Sequence, residues 1–319
     1  MVEDFHDSSA SCDSVSVLIS GAVNVANNKW NACYWENDTV HILETNHSLA
    51  NDILVLDGKI IIGGEYEGKP CFWENGNRKV IDCGHNGTVK AIGVLNGDIH
   101  IVGQIYDDHG NPKSFIWTKG AMSLLSSGTG YASDISFSGK DVYVSGMDSE
   151  KACYWKNGSI VVLSKTLGHG YGIEVRGTDV YVAGEYRPSN GGYYKAGYWK
   201  NGEFISPAGN SVYLWNLGVN LGNVYLVGRQ VLFEKNVLDN AVCIKENEKI
   251  FLESKGNVST AASDIAFNGA TEYVLGSFNG GSVDQQQFDR VCYWRNNRLH
   301  EIPSKSPALG SAIYLEPVH

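Results

Sequence analysis

Three histidines fall in corresponding connections of this 319-residue sequence: His47, His85 and His169. Imidazole nitrogens ligate metal ions and exchange protons near neutral pH, so three that converge would suit a metal site or an acid/base group. They stand at differing offsets, and four of the seven corresponding connections carry no histidine. Two interpretations therefore remain, convergence near a common axis or three side chains that point apart.

A second set of polar residues precedes the apolar pair of the predicted innermost strands: Asp52, Asp134, Asn216 and Asp264. Side chains at one repeated position would face a common axis and form a polar ring at the mouth of a channel. Each could equally cap its own turn by accepting backbone hydrogen bonds, which is a frequent use of aspartate at the start of a strand.

Aromatic residues are the third group of candidates. The connections carry Tyr131, Tyr171, Tyr213 and Trp215, and the longer loops add Trp30 and Tyr186. Rings with polar tips suit the binding of a sugar, a peptide or a protein surface. The alternative is that these rings fold back over the ends of strands.

The elements that must position these residues follow from an internal repeat. A short apolar strand ends in glycine at positions spaced 38 to 48 residues apart: Gly21, Gly64, Gly103, Gly146, Gly184, Gly228 and Gly276. The next strand of each copy carries a tryptophan at Trp35, Trp73, Trp117, Trp155, Trp199 and Trp294, with Ile244 in the sixth copy. Alternating apolar residues and Asn-Gly or Asp-Gly pairs indicate four strands per copy, joined by tight hairpins. Recurrence in six copies favours packing as the role of the tryptophans.

Seven copies of four strands predict an all-β fold, a seven-bladed β-propeller. The first copy lacks a first strand, and the sequence finishes with an isolated one, Ala312-Ile313-Tyr314-Leu315. We therefore expect the C-terminal strand to pair with the N-terminal strands and close the ring, which removes open sheet edges. One domain, 1–319, is expected, with a tail at 1–12 and these blades: 13–49 plus 310–316, 50–86, 87–129, 130–168, 169–210, 211–259 and 260–309.

The repeat resembles two known families. Ile60-Ile61-Ile62-Gly63-Gly64 is similar to the strand with a double glycine in Kelch repeats. Residues 114–122, Ser-Phe-Ile-Trp-Thr-Lys-Gly-Ala-Met, are similar to the bacterial extracellular repeats named for a His-Ala-Phe tripeptide. These resemblances imply a propeller with an interaction role, and they assign no catalytic residue.

Composition excludes several classes of function. The formal net charge of −10, with no run of Lys or Arg, argues against a nucleic-acid partner, and no apolar stretch approaches the length of a membrane span. Four of the seven cysteines, at positions 33, 71, 153 and 292, share the slot two residues before the tryptophan, which predicts small buried core residues. Free thiols suit a reducing compartment, although an exported protein with its signal removed would also fit, so the localisation stays open.

No phosphate loop, calcium loop, His-Glu-x-x-His or Gly-x-Ser-x-Gly motif is present, so no cofactor and no resident metal is expected. The expected function is that of a monomeric, non-catalytic module that binds a peptide, a protein or a glycan. Its alternative is a propeller hydrolase or lyase that uses His and Asp residues at the channel mouth.

Overall fold

The computed structural model describes residues 14–26, 29–207, 212–231, 238–256, 258–279 and 290–318. Every regular element in these ranges is a β-strand. The same ranges contain no helix of a length and apolar character that would cross a membrane. The all-β prediction is confirmed, while the expected tail, residues 1–12, lies outside the described residues.

The described chain contains 27 strands. In chain order they are β1 Val15–Ala26, β2 Lys29–Glu36, β3 Thr39–Ile42, β4 Ser48–Leu56, β5 Lys59–Tyr66, β6 Lys69–Glu74, β7 Asn77–Val80, β8 Gly87–Leu95, β9 Asp98–Tyr106, β10 Pro112–Thr118, β11 Ala121–Leu124, β12 Gly130–Ser138, β13 Asp141–Asp148, β14 Lys151–Lys156, β15 Ser159–Arg176, β16 Asp179–Tyr186, β17 Lys195–Lys200, β18 Glu203–Ile205, β19 Val212–Asn220, β20 Asn223–Gln230, β21 Asn240–Lys245, β22 Glu248–Phe251, β23 Thr260–Asn268, β24 Thr271–Phe278, β25 Arg290–Arg295, β26 Arg298–Glu301 and β27 Ala308–Pro317.

These strands form antiparallel sheets from consecutive hairpins. Five sheets have four strands, in the orders β27-β1-β2-β3, β4-β5-β6-β7, β8-β9-β10-β11, β19-β20-β21-β22 and β23-β24-β25-β26. The sixth has seven strands, β12 to β18, because the long strand β15 pairs with β14 through its first part and with β16 through its second. Within the first sheet the two ends of the described chain meet, since β27 pairs with β1 in a register that places Ile313 opposite Ile19.

The recurring glycine has a steric cause. A Cβ atom at Gly146 would lie 1.9 Å from the carbonyl oxygen of Tyr131 on the neighbouring strand, closer than any side chain tolerates. A Cβ at the six corresponding glycines would meet a backbone oxygen at 1.8 to 2.2 Å. Glycine is therefore required wherever this carbonyl turns toward the next strand, which explains why it marks every copy.

The core lies between neighbouring sheets rather than at one centre. Trp35, for example, is fully buried and packs with Tyr273 and Leu275 across the contact between the first sheet and the last. Five of the repeat tryptophans are at most 2% exposed, which confirms their packing role: Trp35, Trp73, Trp155, Trp199 and Trp294. Trp117 is only partly buried and packs on Phe72.

The cysteines and turns also follow the prediction. The four cysteines of the shared slot are buried and free, as is Cys243, whereas Cys12 lies outside the described residues. At turns such as Asn157-Gly158 both residues have positive φ, at 50° and 81°. The Asn157 Oδ1 atom also accepts a hydrogen bond from the backbone N–H of Val142, so the asparagine fixes both turn and strand pairing.

Candidate active site

A β-bulge recurs at one place in seven strands and builds the central cavity. In each strand the register with its neighbour skips a residue, as between Ala132 and Asp134 in β12. A bulge re-aims the extra residue, and of the residues skipped in this way all but Ser263 line the space that the seven strands surround. The skipped residues are Asn51, Lys90, Ser133, Trp215, Ser263 and Ser311, together with the pair Tyr171 and Gly172 in β15.

The cavity between these strands has a volume of about 520 Å³. Its walls include the bulge residues Asn51, Lys90, Ser133, Tyr171, Trp215 and Ser311 and the polar residues Asp52, Asp134, Asn216 and Asp264. Tyr131, His169 and Gln104 complete the polar and aromatic lining. The volume suits a small-molecule group or the end of a chain-like substrate.

The three aspartates of this cavity join neighbouring bulged strands. Asp134 Oδ1 accepts a hydrogen bond from the backbone N–H of Ile135 in its own strand, and Oδ2 accepts one from Ile173 in β15. Asp52 makes the same two contacts with β4 and β8, and Asp264 with β23 and β27. Both predicted roles are therefore combined in the aspartates, which cap their own strands and form part of a polar ring.

Burial governs the protonation of these carboxyls. It raises the pKa of Asp134 to about 7 and that of Asp264 to about 6, against the opposing effect of the backbone N–H donors. The pKa of Asp52 is likewise raised well above its usual range by burial, and the charges of Asp134 and Asp264 add to the shift. Asn216 cannot ionise; its Nδ2 donates to Asp264 Oδ1 at 2.6 Å.

A serine and a histidine pair beside this ring. Ser133 Oγ lies 3.1 Å from His169 Nε2, although the two residues belong to β12 and β15. The imidazole stacks on Tyr171 with ring centres 4.6 Å apart and planes 14° apart, and the Tyr131 ring lies 6.1 Å away at an interplanar angle of 29°. Burial lowers the pKa of His169 to about 4, so the ring is neutral at neutral pH and Nε2 can accept the serine proton. Tyr171 in turn donates its hydroxyl hydrogen bond to Glu185 Oε1 at 3.1 Å.

The structure brings together eight of the thirteen residues that the sequence suggested. Those lining the cavity are Tyr131, His169, Tyr171, Trp215, Asp52, Asp134, Asn216 and Asp264. Of the two interpretations of the three histidines, the structure favours the second, because His47 and His85 do not line the cavity with His169, and His85 instead faces Asp108 at 3.8 Å. Among the described residues no group of three His, Cys, Asp or Glu side chains could hold a metal ion.

The remaining three aromatic candidates lie elsewhere. Tyr186 packs edge-on against Phe204 and beside Trp199, so it covers the end of a sheet. Tyr213 is 38% exposed and lies under the Arg229 guanidinium, and Trp30 pairs with Asn24 within the first sheet. These three residues do not line the cavity, and their contact with a ligand stays a prediction.

Four residues of the cavity were not predicted from the sequence: Asn51, Lys90, Gln104 and Ser133. Three of them are bulge residues, which stand one position before the aspartate ring in the aligned copies. In an alignment of the seven copies this position holds a single lysine, Lys90, and the serine that precedes Asp134, so the alignment could have identified both. Gln104 lies on the adjacent strand β9, where no repeated pattern marks it.

No protein-family model matches the sequence, and no curated protein is detectably similar to it. The resemblance to Kelch repeats and to the His-Ala-Phe repeats thus stays a prediction. Solved structures are similar in fold. A puromycin-hydrolysing peptidase of Mycobacterium tuberculosis has a TM-score of 0.56 and 8% identity over 90% of this chain. A puromycin hydrolase has a TM-score of 0.55 and 10% identity over 93% of this chain.

This chain spans about half the length of those two proteins, 52% and 53% respectively. At such low identity the likeness establishes a propeller-like all-β fold. The expectation of a non-catalytic binding module is contradicted by the same finding, because the similar structures are propeller peptidases and hydrolases.

Proposed function

We propose that this protein is a hydrolase whose reaction takes place in the central cavity, with Ser133 as the nucleophile and His169 as the general base. The contact between Ser133 Oγ and His169 Nε2 inside that cavity carries the proposal. A hydroxyl is a weak nucleophile unless an adjacent base takes its proton. The fold similarity to two hydrolases supports the same class of reaction.

The geometry suggests acyl transfer to serine. Ser133 Oγ attacks the carbonyl carbon of an ester or amide while its proton passes to His169 Nε2. The leaving group departs with that proton, and the acyl group stays on the serine oxygen. Water then attacks the acyl carbon, His169 accepts a proton from it, and that proton returns to Ser133 as the acid product is released.

Ring stacking on His169 takes the place of the carboxylate that usually orients a catalytic histidine. In the part of the chain that the structure describes, no carboxylate contacts His169 Nδ1 within ion-pair distance. The rings of Tyr171, which stacks on the imidazole, and Tyr131, which lies beyond it at a larger tilt, hold the imidazole plane instead. The proposed reaction uses the neutral tautomer that carries its proton on Nδ1, so that Nε2 accepts from the serine hydroxyl.

For the scaffold, we propose a seven-bladed propeller in which the seven-stranded sheet counts as two blades. The bulged strands contact one another in succession, and β27 contacts β4, which supports a closed ring. The pairing of β27 with β1 supports closure of blade one from both termini. The proposed blades keep the boundaries 13–49 plus 310–316, 50–86, 87–129, 130–168, 169–210, 211–259 and 260–309.

The test of the hydrolase uses 4-nitrophenyl hexanoate and a fluorophosphonate probe. We expect turnover of the ester and phosphonylation of Ser133, located by peptide mass spectrometry. Ser133→Ala should abolish the labelling and lower kcat/KM by about 10⁶-fold, because it removes the nucleophile.

Ser263 provides the matched control. It occupies the corresponding bulge of β23, but its hydroxyl faces the carbonyl of Leu275 rather than a histidine. Ser263→Ala should leave both turnover and labelling unchanged. Labelling at any residue other than Ser133, or full activity of Ser133→Ala, would refute the assignment.

A further inference from the structure

The cavity has a cationic side that the proposed reaction does not use. Lys90 is the bulge residue of β8, and β8 lies directly against β12, which carries Ser133. Its side chain lines the cavity. Among the described residues no carboxylate lies within ion-pair distance of its ammonium group. Lys90 keeps an exposed surface, so its three N–H donors, which have no acceptor among the described residues, are open to a ligand in the cavity that Ser133 also lines.

The carboxyls of the cavity do not fill this role. Each oxygen of Asp52, Asp134 and Asp264 already accepts a backbone N–H from one of the two strands that the residue joins. Each of these oxygens could accept a second hydrogen bond, as Asp264 Oδ1 does from Asn216 Nδ2, but among the described residues none lies within ion-pair distance of the Lys90 ammonium. The Lys90 ammonium is therefore a cation of the cavity wall that has no counter-ion among the described residues.

A second polar group next to Lys90 also lacks a partner. Gln104 is 6% exposed and lines the cavity from β9, and its Oε1 has no hydrogen-bond partner among the described residues. A buried amide oxygen without a donor costs free energy, so this site suits a ligand with an N–H or O–H group. On this part of the cavity wall Lys90 can bind an acceptor group of a ligand, and Gln104 Oε1 can bind a donor such as the N–H of an amide.

The other side of Ser133 is aromatic. Strand β15, with Tyr171, follows β12, and β19, with Trp215, follows β15. The Trp215 ring lies 5.6 Å from the Arg229 guanidinium carbon. A substrate whose acyl carbon reaches Ser133 would thus place one end on aromatic rings and the other at Lys90.

We propose that the substrate is an ester or amide that carries a free carboxylate, and that Lys90 binds this carboxylate as the specificity-determining residue. This inference rests on the proposed hydrolase function. Partial burial lowers the pKa of Lys90, with Glu65 opposing the shift, and a bound carboxylate would favour the charged ammonium. Because the chain has a net charge of −10, attraction at long range is unfavourable, and the selectivity must come from direct contact.

The experiment compares mono-4-nitrophenyl adipate with 4-nitrophenyl hexanoate, which have the same acyl length but differ in the terminal carboxylate. Binding is measured by calorimetry at pH 7 in the Ser133→Ala background, so it does not depend on turnover. We expect the adipate ester to bind about 10- to 100-fold more tightly, as a charge-assisted hydrogen bond would provide. Lys90→Met should remove this preference while leaving hexanoate binding unchanged, and Lys90→Arg should retain most of it.

Lys140→Met is the control, since Lys140 is exposed in the turn between β12 and β13 and should not affect either ester. Equal binding of the two esters, or an equal effect of Lys90→Met on both, would overturn the carboxylate subsite. Tighter binding of 4-nitrophenyl 6-aminohexanoate would overturn it as well, and would assign recognition to the aspartates. Turnover by the wild-type protein is scored separately, so a protein that binds the adipate ester selectively without hydrolysing it would refute only the proposed reaction.

Discussion

Ser133 Oγ and His169 Nε2 lie 3.1 Å apart although 36 residues separate them in the sequence. The contact exists because β12 and β15 are neighbouring bulged strands and each turns a polar side chain into the same cavity. Ser133 is the bulge residue of β12. His169 stands two positions before the skipped pair in β15, at the position that Tyr131 occupies in β12.

This pair predicts an unusual acid limb in the pH profile of hydrolysis. A base must be neutral, and burial lowers the pKa of His169 to about 4. We expect kcat/KM to stay level from pH 8 down to about pH 5 and to fall as the pH drops through about 4. An unperturbed histidine would lose activity below about pH 6.5.

Tyr171→Ala removes the ring that stacks on His169 and opens it to water. The pKa of His169 should then rise toward its usual value, so the acid limb of kcat/KM moves to higher pH. Titration of the labelled histidine ring by NMR gives the same pKa without relying on activity. An acid limb near pH 6.5 in the unmodified protein would contradict the burial argument, and circular dichroism at each pH controls for unfolding.

The sequence predicted the scaffold better than the site for a physical reason. Strand alternation, Asn-Gly turns and the recurring Gly146-type position are local and repeat in every copy, so they can be read without the structure. The Ser133 and His169 contact is not local, since it depends on how two bulges re-aim side chains across neighbouring strands. His47 and His85 illustrate the limit, because residues in corresponding connections need not face the same space.

The raised pKa of Asp134, which joins β12 to β15, makes the free energy of unfolding depend on pH. In the folded protein Asp134 keeps its proton up to about pH 7, whereas an unfolded aspartate loses it near pH 3.9. The folded state therefore binds more protons between these values, and the free energy of unfolding falls as pH rises from about 4 to 7. One carboxyl contributes at most about 1.4 kcal/mol per pH unit.

Asp134→Asn should abolish this part of the pH dependence. It should also cost about 1–3 kcal/mol of stability, since one of the backbone N–H groups of Ile135 and Ile173 loses its acceptor. Urea midpoints at pH 4.5, 6 and 7.5 measure both effects. Asp141→Asn is the control with the opposite sign, because Lys156 and Asn157 lower the pKa of Asp141 and its stabilising effect is lost as pH falls. Parallel curves for the wild type and Asp134→Asn would exclude a raised pKa.

Two repeat tryptophans differ in their hydrogen bonding. Trp73 Nε1 donates to Glu44 Oε1 at 3.0 Å, whereas the buried Nε1 of Trp35 has no partner among the described residues. Both side chains are fully buried, so substitution by phenylalanine loses similar packing. We expect Trp73→Phe to lower the free energy of unfolding by about 1 kcal/mol more than Trp35→Phe, measured by urea denaturation. An equal or larger loss for Trp35→Phe would argue against the difference.

Closure of the proposed propeller can be tested where β27 pairs with β1. β27 pairs with β1 along nine register positions, buries Ile313, and supplies the N–H that Asp264 Oδ2 accepts. Removal of residues 310–319 exposes the edge of β1 and the apolar layer that contains Trp35 and Ile19. Because that layer joins the first sheet to the last, we expect the whole chain to unfold at a lower temperature, with a Tm loss of at least about 10 °C.

Addition of a synthetic peptide of residues 306–318 should restore part of the lost Tm. Substitution of the exposed Val318 by serine is the matched control and should leave Tm unchanged, while a truncated chain that melts like the full chain would refute the closed ring.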